Sequence, residues 1–364
     1  MSSIYLTANK CRVDEILARY VVYLLEGFTI KNIHVSCNTI KGYLKAVNDH
    51  YVVNSLPPPF DADSLDSRAS RLLAAQRRFQ QEPDRREPLH DLVLHKMRQL
   101  AEQACPLGFA AAVWDITALG CYGGFRQQEY AMDSPSVIKY YVKPDGTRVT
   151  RAFTLRNILF KDKFGVMLQH DRLGDFSQVE QVGTRYEVQK NGMNGQVIWF
   201  ARDRAYPEFC PVVLAISLFR RAQDLGQTLD LPLCVFRENG AVNYLSGARV
   251  TEYYRSVTAM ALPNISREEL KLISTHSLRV KACVLLAEAG KSGYYIKLRL
   301  RWKSNCYEVY LRNTFSIATQ HNTALGSSHS IMRNLAISAI NLPDLVNIEG
   351  LVVALHEYSL EDDD

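Results

Sequence analysis

The sequence lacks the cysteine patterns that bind metal or staple a small fold. Its eight Cys are scattered with no C-x-x-C pair, so neither a zinc knuckle nor a dense disulfide framework is expected, and reduced thiols in an intracellular protein are the default. Long apolar runs are also missing. None approaches the roughly 20 residues that span a bilayer, and the opening MSSIYLTANKCRVDE lacks the apolar core of a signal peptide. Glycine-rich phosphate loops are absent too, because the run Gly123-Gly124-Phe125 does not have P-loop spacing. No ATP site, cofactor or metal is therefore expected. Nor does charge of one sign dominate: 43 Lys and Arg against 38 Asp and Glu leave a net charge of +5, which permits nucleic-acid binding without identifying it.

What is present is the makeup of an ordinary globular chain, 47% hydrophobic and 22% charged, and 364 residues are enough for two domains. The first 53 residues read as two helices. One, near Arg12 to Leu25, places Ile16, Leu17, Tyr20, Val21 and Leu24 on a stripe; the other, after a Ser36/Asn38 cap region, carries Thr39, Ile40, Tyr43, Leu44 and Val47. LPPPF at residues 56–60 cannot be helical. A third helix is expected from Leu65 to Gln81, with Arg68, Arg71, Arg77 and Arg78 interleaved with Leu72, Leu73 and Phe79. Two prolines amid charges in QEPDRREPL mark an interdomain linker.

From Leu89 the pattern changes to an amphipathic helix over Leu92 to Ala104 and an apolar, buried one over Phe109 to Leu119, which Gly123-Gly124 ends. Phe125-Arg126 and Glu129 follow at once. Between Arg156 and Phe200 the segments RNILF, KFGVML, TRYEVQK and GQVIWF read as strands, the last two joined through Asn191-Gly192 and Asn194-Gly195 as a hairpin with Lys190 at its turn. A helix begins at Cys210-Pro211 with Pro at its first position and exposes Arg220 and Arg221. Leu233 to Ala248 is irregular with strand-like pieces, and short helices over Val250 to Met260 and Arg267 to Ile273 lead to the stretch that organises the rest.

That stretch is STHSLRVKACVLLAEAGKSGYYIKLRLRWKSNCYEVYLRNT, residues 274–314. Ser274 and Thr275 are good N-cap residues, so His276 and Arg279 fall one turn apart on one face at the start of a helix. Free N–H groups, the positive end of the dipole and an Arg fork together favour an anion there. Trp302, Tyr307 and Tyr310 follow; the plain structural alternative for these three is an aromatic stripe on one core helix.

The string His276-Ser-Leu-Arg279, then Trp302, then Tyr310-Leu-Arg-Asn resembles the C-terminal signature of the tyrosine recombinases, in which H-x-L-R, a His or Trp, and a nucleophilic Tyr occur in that order. Gly124-Phe125-Arg126-Gln-Gln-Glu129 resembles that family's first box, and NTIKGYLKAVNDHY a helix of its N-terminal core-binding domain. RWKSNCYEVYLRN and QKNGMNG look closest to the eukaryotic Crypton-like mobile-element recombinases. Tyr310 lies eight positions after Trp302, one fewer than in the bacterial and phage pattern, which makes Tyr307 a competitor for the nucleophile.

The resemblance implies a mainly α protein with a small antiparallel β-sheet, an α+β fold. Its parts would be a helical core-binding domain (1–82), a linker (83–88), a catalytic domain (89–330), and a C-terminal helix near Ile331 to Ile340 with an acidic tail (331–364), of which residues 331–356 are the segment a neighbouring subunit could receive. It implies a site-specific recombinase or integrase that cuts and rejoins double-stranded DNA through a 3′-phosphotyrosyl link, as a homotetramer on paired sites, with no cofactor, metal, membrane or small-molecule substrate. Tyr310 would be the nucleophile, Arg126 and Arg279 the phosphate clamp, His276 the proton handler, Trp302 an indole donor, Lys190 the acid for the leaving oxygen, with Lys161 and Lys163 as rivals, and Glu129 a brace for Arg126. Location would be the nucleus in a eukaryote, otherwise the cytoplasm. Alternatives are a type IB topoisomerase-like relaxation activity and a transposon-derived DNA-binding protein whose catalysis has decayed.

Overall fold

The computed structural model describes residues 10–28, 34–59, 67–79, 85–143, 145–170, 175–189, 192, 194–311 and 319. The chain divides into two compact units, Met1–Asp84 and Arg85–Asp364.

The first unit contains α1 (Lys10–Leu25), α2 (Cys37–Val53) and α3 (Arg68–Phe79). Helical spacing puts Val13, Leu17, Val21 and Leu24 of α1 against Cys37, Ile40 and Leu44 of α2 and Ala69 and Leu73 of α3. The inner stripe of α1 is thus rotated from the one expected, leaving Ile16 and Tyr20 exposed, as is Tyr43 on α2. A core shared by three short helices accepts only a narrow stripe from each. Ser36 caps α2 by accepting from the Thr39 N–H at 3.2 Å, and Asp14 on α1 accepts from the Arg68 N–H at 2.8 Å where α3 begins. Phe79, at the end of α3, is exposed.

The second unit is built on a buried helix. After α4 (Asp91–Gln103), α5 (Phe109–Gly123) has every residue from Ala111 to Gly120 buried. The remaining helices are α6 (Gln127–Tyr130), α7 (Pro211–Asp224), α8 (Gly247–Ala261), α9 (Arg267–Leu272), α10 (His276–Glu288), α11 (Gly293–Leu300) and α12 (Glu308–Leu311), with the strands inserted between α6 and α7 and between α7 and α8. α5 packs against α4, α7 and α10. The approach of α10 requires Gly120, since a Cβ there would meet Leu278 Cδ2 at 2.5 Å. Gly124 ends α5 in the left-handed region (φ 54°), its N–H bonding Gly120 O at 2.7 Å; a side chain at this position would cost about 1 kcal/mol.

Arg221 departs from expectation. It is 4% exposed and ion-pairs with Asp115 on α5 at 2.5 Å, with its Nε donating to Pro106 O at 2.7 Å. A helical pattern shows where Arg220 and Arg221 lie around α7, but not that a carboxylate on α5 faces one of them. Arg220 instead lies over the Phe176 ring at 4.6 Å.

β1 (Tyr141–Val142) and β2 (Arg148–Val149) form a small hairpin that the sequence did not announce. β3 (Ile158–Lys161), β4 (Met167–Leu168), β5 (Gln181–Tyr186) and β6 (Gln196–Ala201) make an antiparallel sheet in the order β4-β3-β5-β6. Its register aligns Phe160 with Val182 and Phe200, and Ile158 with Thr184 and Ile198. Alternation therefore turns one face into the core. The expected irregular segment resolves into the hairpin β7 (Val235–Glu238) and β8 (Ala241–Tyr244). The fold is mainly α with small antiparallel sheets. Lys190 and the segment near Ile331 to Ile340, with the tail beyond it, lie outside the described residues.

Candidate active site

The start of α10 and the end of α11 are held together through one guanidinium. Arg279, 3% exposed, donates from Nη1 to Gly124 O and from Nη2 to Leu300 O at 2.5 Å. It therefore ties the glycine turn after α5 to the last residue of α11. Two of the five N–H groups of a guanidinium are used this way. Thr275 takes the N-cap position of α10 but makes no side-chain cap bond; its hydroxyl donates to Gln127 Oε1 at 2.7 Å, binding α10 to α6. Ser274 Oγ accepts from the His276 N–H at 3.2 Å instead.

Arg126 is the residue before α6 and is partly exposed, its side chain 28% accessible. Glu129, nearly buried, accepts from the Arg126 N–H at 2.9 Å and from its Nη1 at 3.0 Å. Arg126 Nη2 reaches Arg301 O at 3.4 Å. The other partner of Glu129 is Arg301, whose Nη2 donates to Oε2 at 2.8 Å. One carboxylate thus stands among three guanidiniums, leaving a surplus of positive charge.

Beside this group, His276 Nε2 and the Tyr310 hydroxyl are 2.9 Å apart, with ring centroids separated by 5.7 Å. Trp302 lies 5.7 Å from the rings of both Tyr307 and Tyr310, and Arg279 sits 4.8 Å from its centroid. The three aromatics do not share one helix. Trp302 is in the turn after α11, Tyr307 in a 3-10 turn over Asn305–Tyr307, and Tyr310 on α12. Tyr307 belongs to the small core with Ala282, Cys283, Ile296 and Leu300, and its hydroxyl presses on the backbone of Gly293. Tyr310 also lines a cavity of about 640 Å³ with Arg85, Arg86 and Lys281.

The electrostatics follow from this crowding. Burial, then Arg279, Arg86 and Arg126, lowers the His276 pKa, so the ring is neutral at pH 7. A neutral imidazole with its hydrogen on Nδ1 accepts the phenol proton at Nε2. Burial raises the Tyr310 pKa, while Arg279 and Arg85 oppose the rise. Burial, followed by Arg126 and Arg301, pulls the Arg279 pKa down to about 9. It remains a cation at pH 7, and an anion in the site would relieve the repulsion.

No family model matches the chain, and no curated relative does. Among solved structures it is similar to the Tn1549 transposon integrase in complex with transposon right end DNA (14% identity, 92% of this chain and 88% of that one, TM-score 0.42). It is similar as well to a lambda integrase dimer bound to a COC′ core site (14%, 85% and 81%, TM-score 0.40). The XerA recombinase is a third such structure (14%, 85% and 82%, TM-score 0.37). The likeness is distant, and the chemistry of the site is carried by its own side chains.

Of the residues singled out in the sequence, Arg126, Glu129, His276, Arg279, Trp302 and Tyr310 are brought into one neighbourhood. Lys190 falls outside the described residues, although the connection that holds it is anchored by Gln189 N–H to Asn194 Oδ1 at 2.7 Å and Gly195 N–H to Tyr186 O at 2.7 Å. Of its rivals, Lys161 sits 4.1 Å over the Trp199 ring, and Lys163 lies 4.9 Å over Phe164. Sequence reasoning missed Arg301. Its only signal was adjacency to Trp302, and arginine in a basic run does not announce burial.

Proposed function

We propose that the protein is a site-specific DNA recombinase that cuts and rejoins double-stranded DNA through a 3′-phosphotyrosyl intermediate. The observation that carries this reading is a tyrosine hydroxyl hydrogen-bonded to a neutral histidine at the edge of a positively charged group of arginines. In the proposed step, Tyr310 Oη attacks phosphorus and its proton passes to His276 Nε2. The bond from phosphorus to the 5′-oxygen breaks, and that oxygen is protonated by an acid, the role the family resemblance assigns to Lys190. Energy of the broken bond is kept in the tyrosyl ester, and attack by a 5′-hydroxyl reverses the step.

Arg126 and Arg279 offer planar donor forks to the non-bridging oxygens, where charge grows in the transition state. Their preorganised hydrogen bonds to Glu129, Gly124 O and Leu300 O mean that little rearrangement is needed as it does so. The resemblance of RWKSNCYEVYLRN to the Crypton-like recombinases supports a mobile-element enzyme of that kind; a recombinase reading implies a tetramer on paired sites, and a eukaryotic host would place it in the nucleus.

The test is incubation of the purified chain, in EDTA, with nicked suicide duplexes taken from DNA flanking its gene. A protease-sensitive covalent adduct on particular duplexes is expected. Relaxation of any supercoiled plasmid by monomers would point to the topoisomerase-like alternative. Binding without an adduct on any DNA would leave only a DNA-binding protein.

A further inference from the structure

We propose that Arg301 is a positioning residue of this site, aiming Arg126 through the Glu129 carboxylate and tying that pair to the base of the β5–β6 connection; the inference rests on the recombinase reading. Arg301 is 2% exposed. Its Nη2 donates to Glu129 Oε2 at 2.8 Å, its Nη1 to Gly123 O at 3.0 Å, and its guanidinium lies 3.5 Å from the centroid of Tyr186, the last residue of β5. Glu129 Oε1 accepts from Arg126 Nη1 at 3.0 Å, and Oε2 is shared between Arg301 Nη2 and the Arg126 backbone N–H, the latter at 2.9 Å. Arg301 O accepts from Arg126 Nη2 as well, and the preceding carbonyl, Leu300 O, accepts from Arg279. Two successive carbonyls therefore hold the two arginines of the proposed clamp.

Burying a cation is unfavourable unless it is paired and hydrogen-bonded, and a core made only for stability has no need of one here. The backbone adds to this cost, since Arg301 takes a left-handed conformation (φ 59°, ψ 46°) that is uncommon outside glycine. That turn lets α11 stop while its last residues face Arg126 and Arg279. With the Arg301 side chain removed, Glu129 is held only by Arg126 itself, through its backbone N–H and Nη1, and the Arg126 fork keeps just the long Nη2 contact to the backbone carbonyl of residue 301 as an outside anchor. Arg301 touches no substrate in this arrangement. It acts through Glu129.

The test is a double-mutant cycle in the full chain between Arg301→Met, which keeps the buried stem and removes the charge, and Arg126→Ala. The expected result is adduct formation on the suicide duplex slowed about 100-fold by Arg301→Met, as for a misplaced clamp. Non-covalent DNA binding should hold within about threefold, and the double variant should be no slower than Arg126→Ala within about threefold, because the residues act as one unit. Multiplying losses, or an unchanged rate, would overturn the proposal. If Arg301→Met does not fold, Arg301→Lys replaces it; it keeps the cation but not the fork, and the same two outcomes decide. If the wild-type chain forms no adduct on any DNA, the recombinase reading fails, and inorganic sulfate tests Arg301 separately. Sulfate at matched ionic strength should raise the wild-type unfolding midpoint through Arg126 and Arg279, and that rise should disappear in the Arg301 variant. A rise kept in the variant, or absent from the wild type, would overturn the proposal.

Discussion

The hydroxyl of Tyr310 and Nε2 of His276 are within 2.9 Å of one another although 34 positions separate them in the chain. Two conditions set by the fold make the pairing possible. α10 is fixed by Arg279 to the glycine turn and to the end of α11, and Tyr307 anchors the turn that leads into α12.

The first prediction concerns pH. His276 must be neutral to accept the phenol proton, and its pKa lies below the ordinary value near 6.5. Adduct formation should therefore be flat above about pH 6.5 and fall only as pH drops through the depressed value. Stability should follow the same direction. Between the folded and unfolded pKa values the unfolded chain binds more protons, so stability rises with pH through that window and the loss on acidification is complete below the folded pKa. Single-turnover rates and urea midpoints from pH 5 to 8 check both, with His276→Gln removing this part of the slope. A rate limb centred above pH 7 would contradict the assignment.

The second prediction separates the two tyrosines. A Cβ on Gly293 would lie 1.9 Å from the Tyr307 hydroxyl. Gly293→Ala should destabilise the chain by about 1–3 kcal/mol through overpacking. Adding Tyr307→Phe should restore part of that loss, because it removes the oxygen at 1.9 Å and leaves the milder approach of Cζ at 2.9 Å. Chemical denaturation of the single and double variants measures the rescue. Additive losses would mean that Tyr307 is not seated against α11.

A third prediction follows from the buried ion pair between α5 and α7. Arg221→Met leaves the Asp115 carboxylate, 7% exposed, with only the Ser217 hydroxyl as partner, and should cost about 3–5 kcal/mol. Arg220→Ala should leave the denaturation midpoint nearly unchanged. Equal effects would contradict the different surroundings of these neighbours.

That contrast shows what the sequence made legible. An apolar run located α5, cap residues before an apolar periodicity placed α10, proline placed the start of α7, and β-rich segments between turn residues gave β3, β5 and β6, because these signals are local. The resemblance carried by the order of Arg126, His276, Arg279, Trp302 and Tyr310 named a candidate group, and the fold brings these side chains into one neighbourhood. What stayed hidden depended on the facing element. The burial of Arg221 needs Asp115 on another helix, the burial of Arg301 needs Glu129, and the inner stripe of α1 is chosen by α2 and α3. Tyr310 was the expected nucleophile and Tyr307, three positions earlier, its competitor; Gly293 and His276 give each hydroxyl a different neighbour.

The most direct measurement is to trap the covalent adduct on a suicide duplex, digest it, and identify the DNA-linked peptide by mass spectrometry for the wild type, Tyr310→Phe and Tyr307→Phe. The account predicts linkage at Tyr310, its loss in Tyr310→Phe, and its retention in Tyr307→Phe once folding is confirmed. An adduct that persists in Tyr310→Phe, or one mapped to Tyr307, would contradict it.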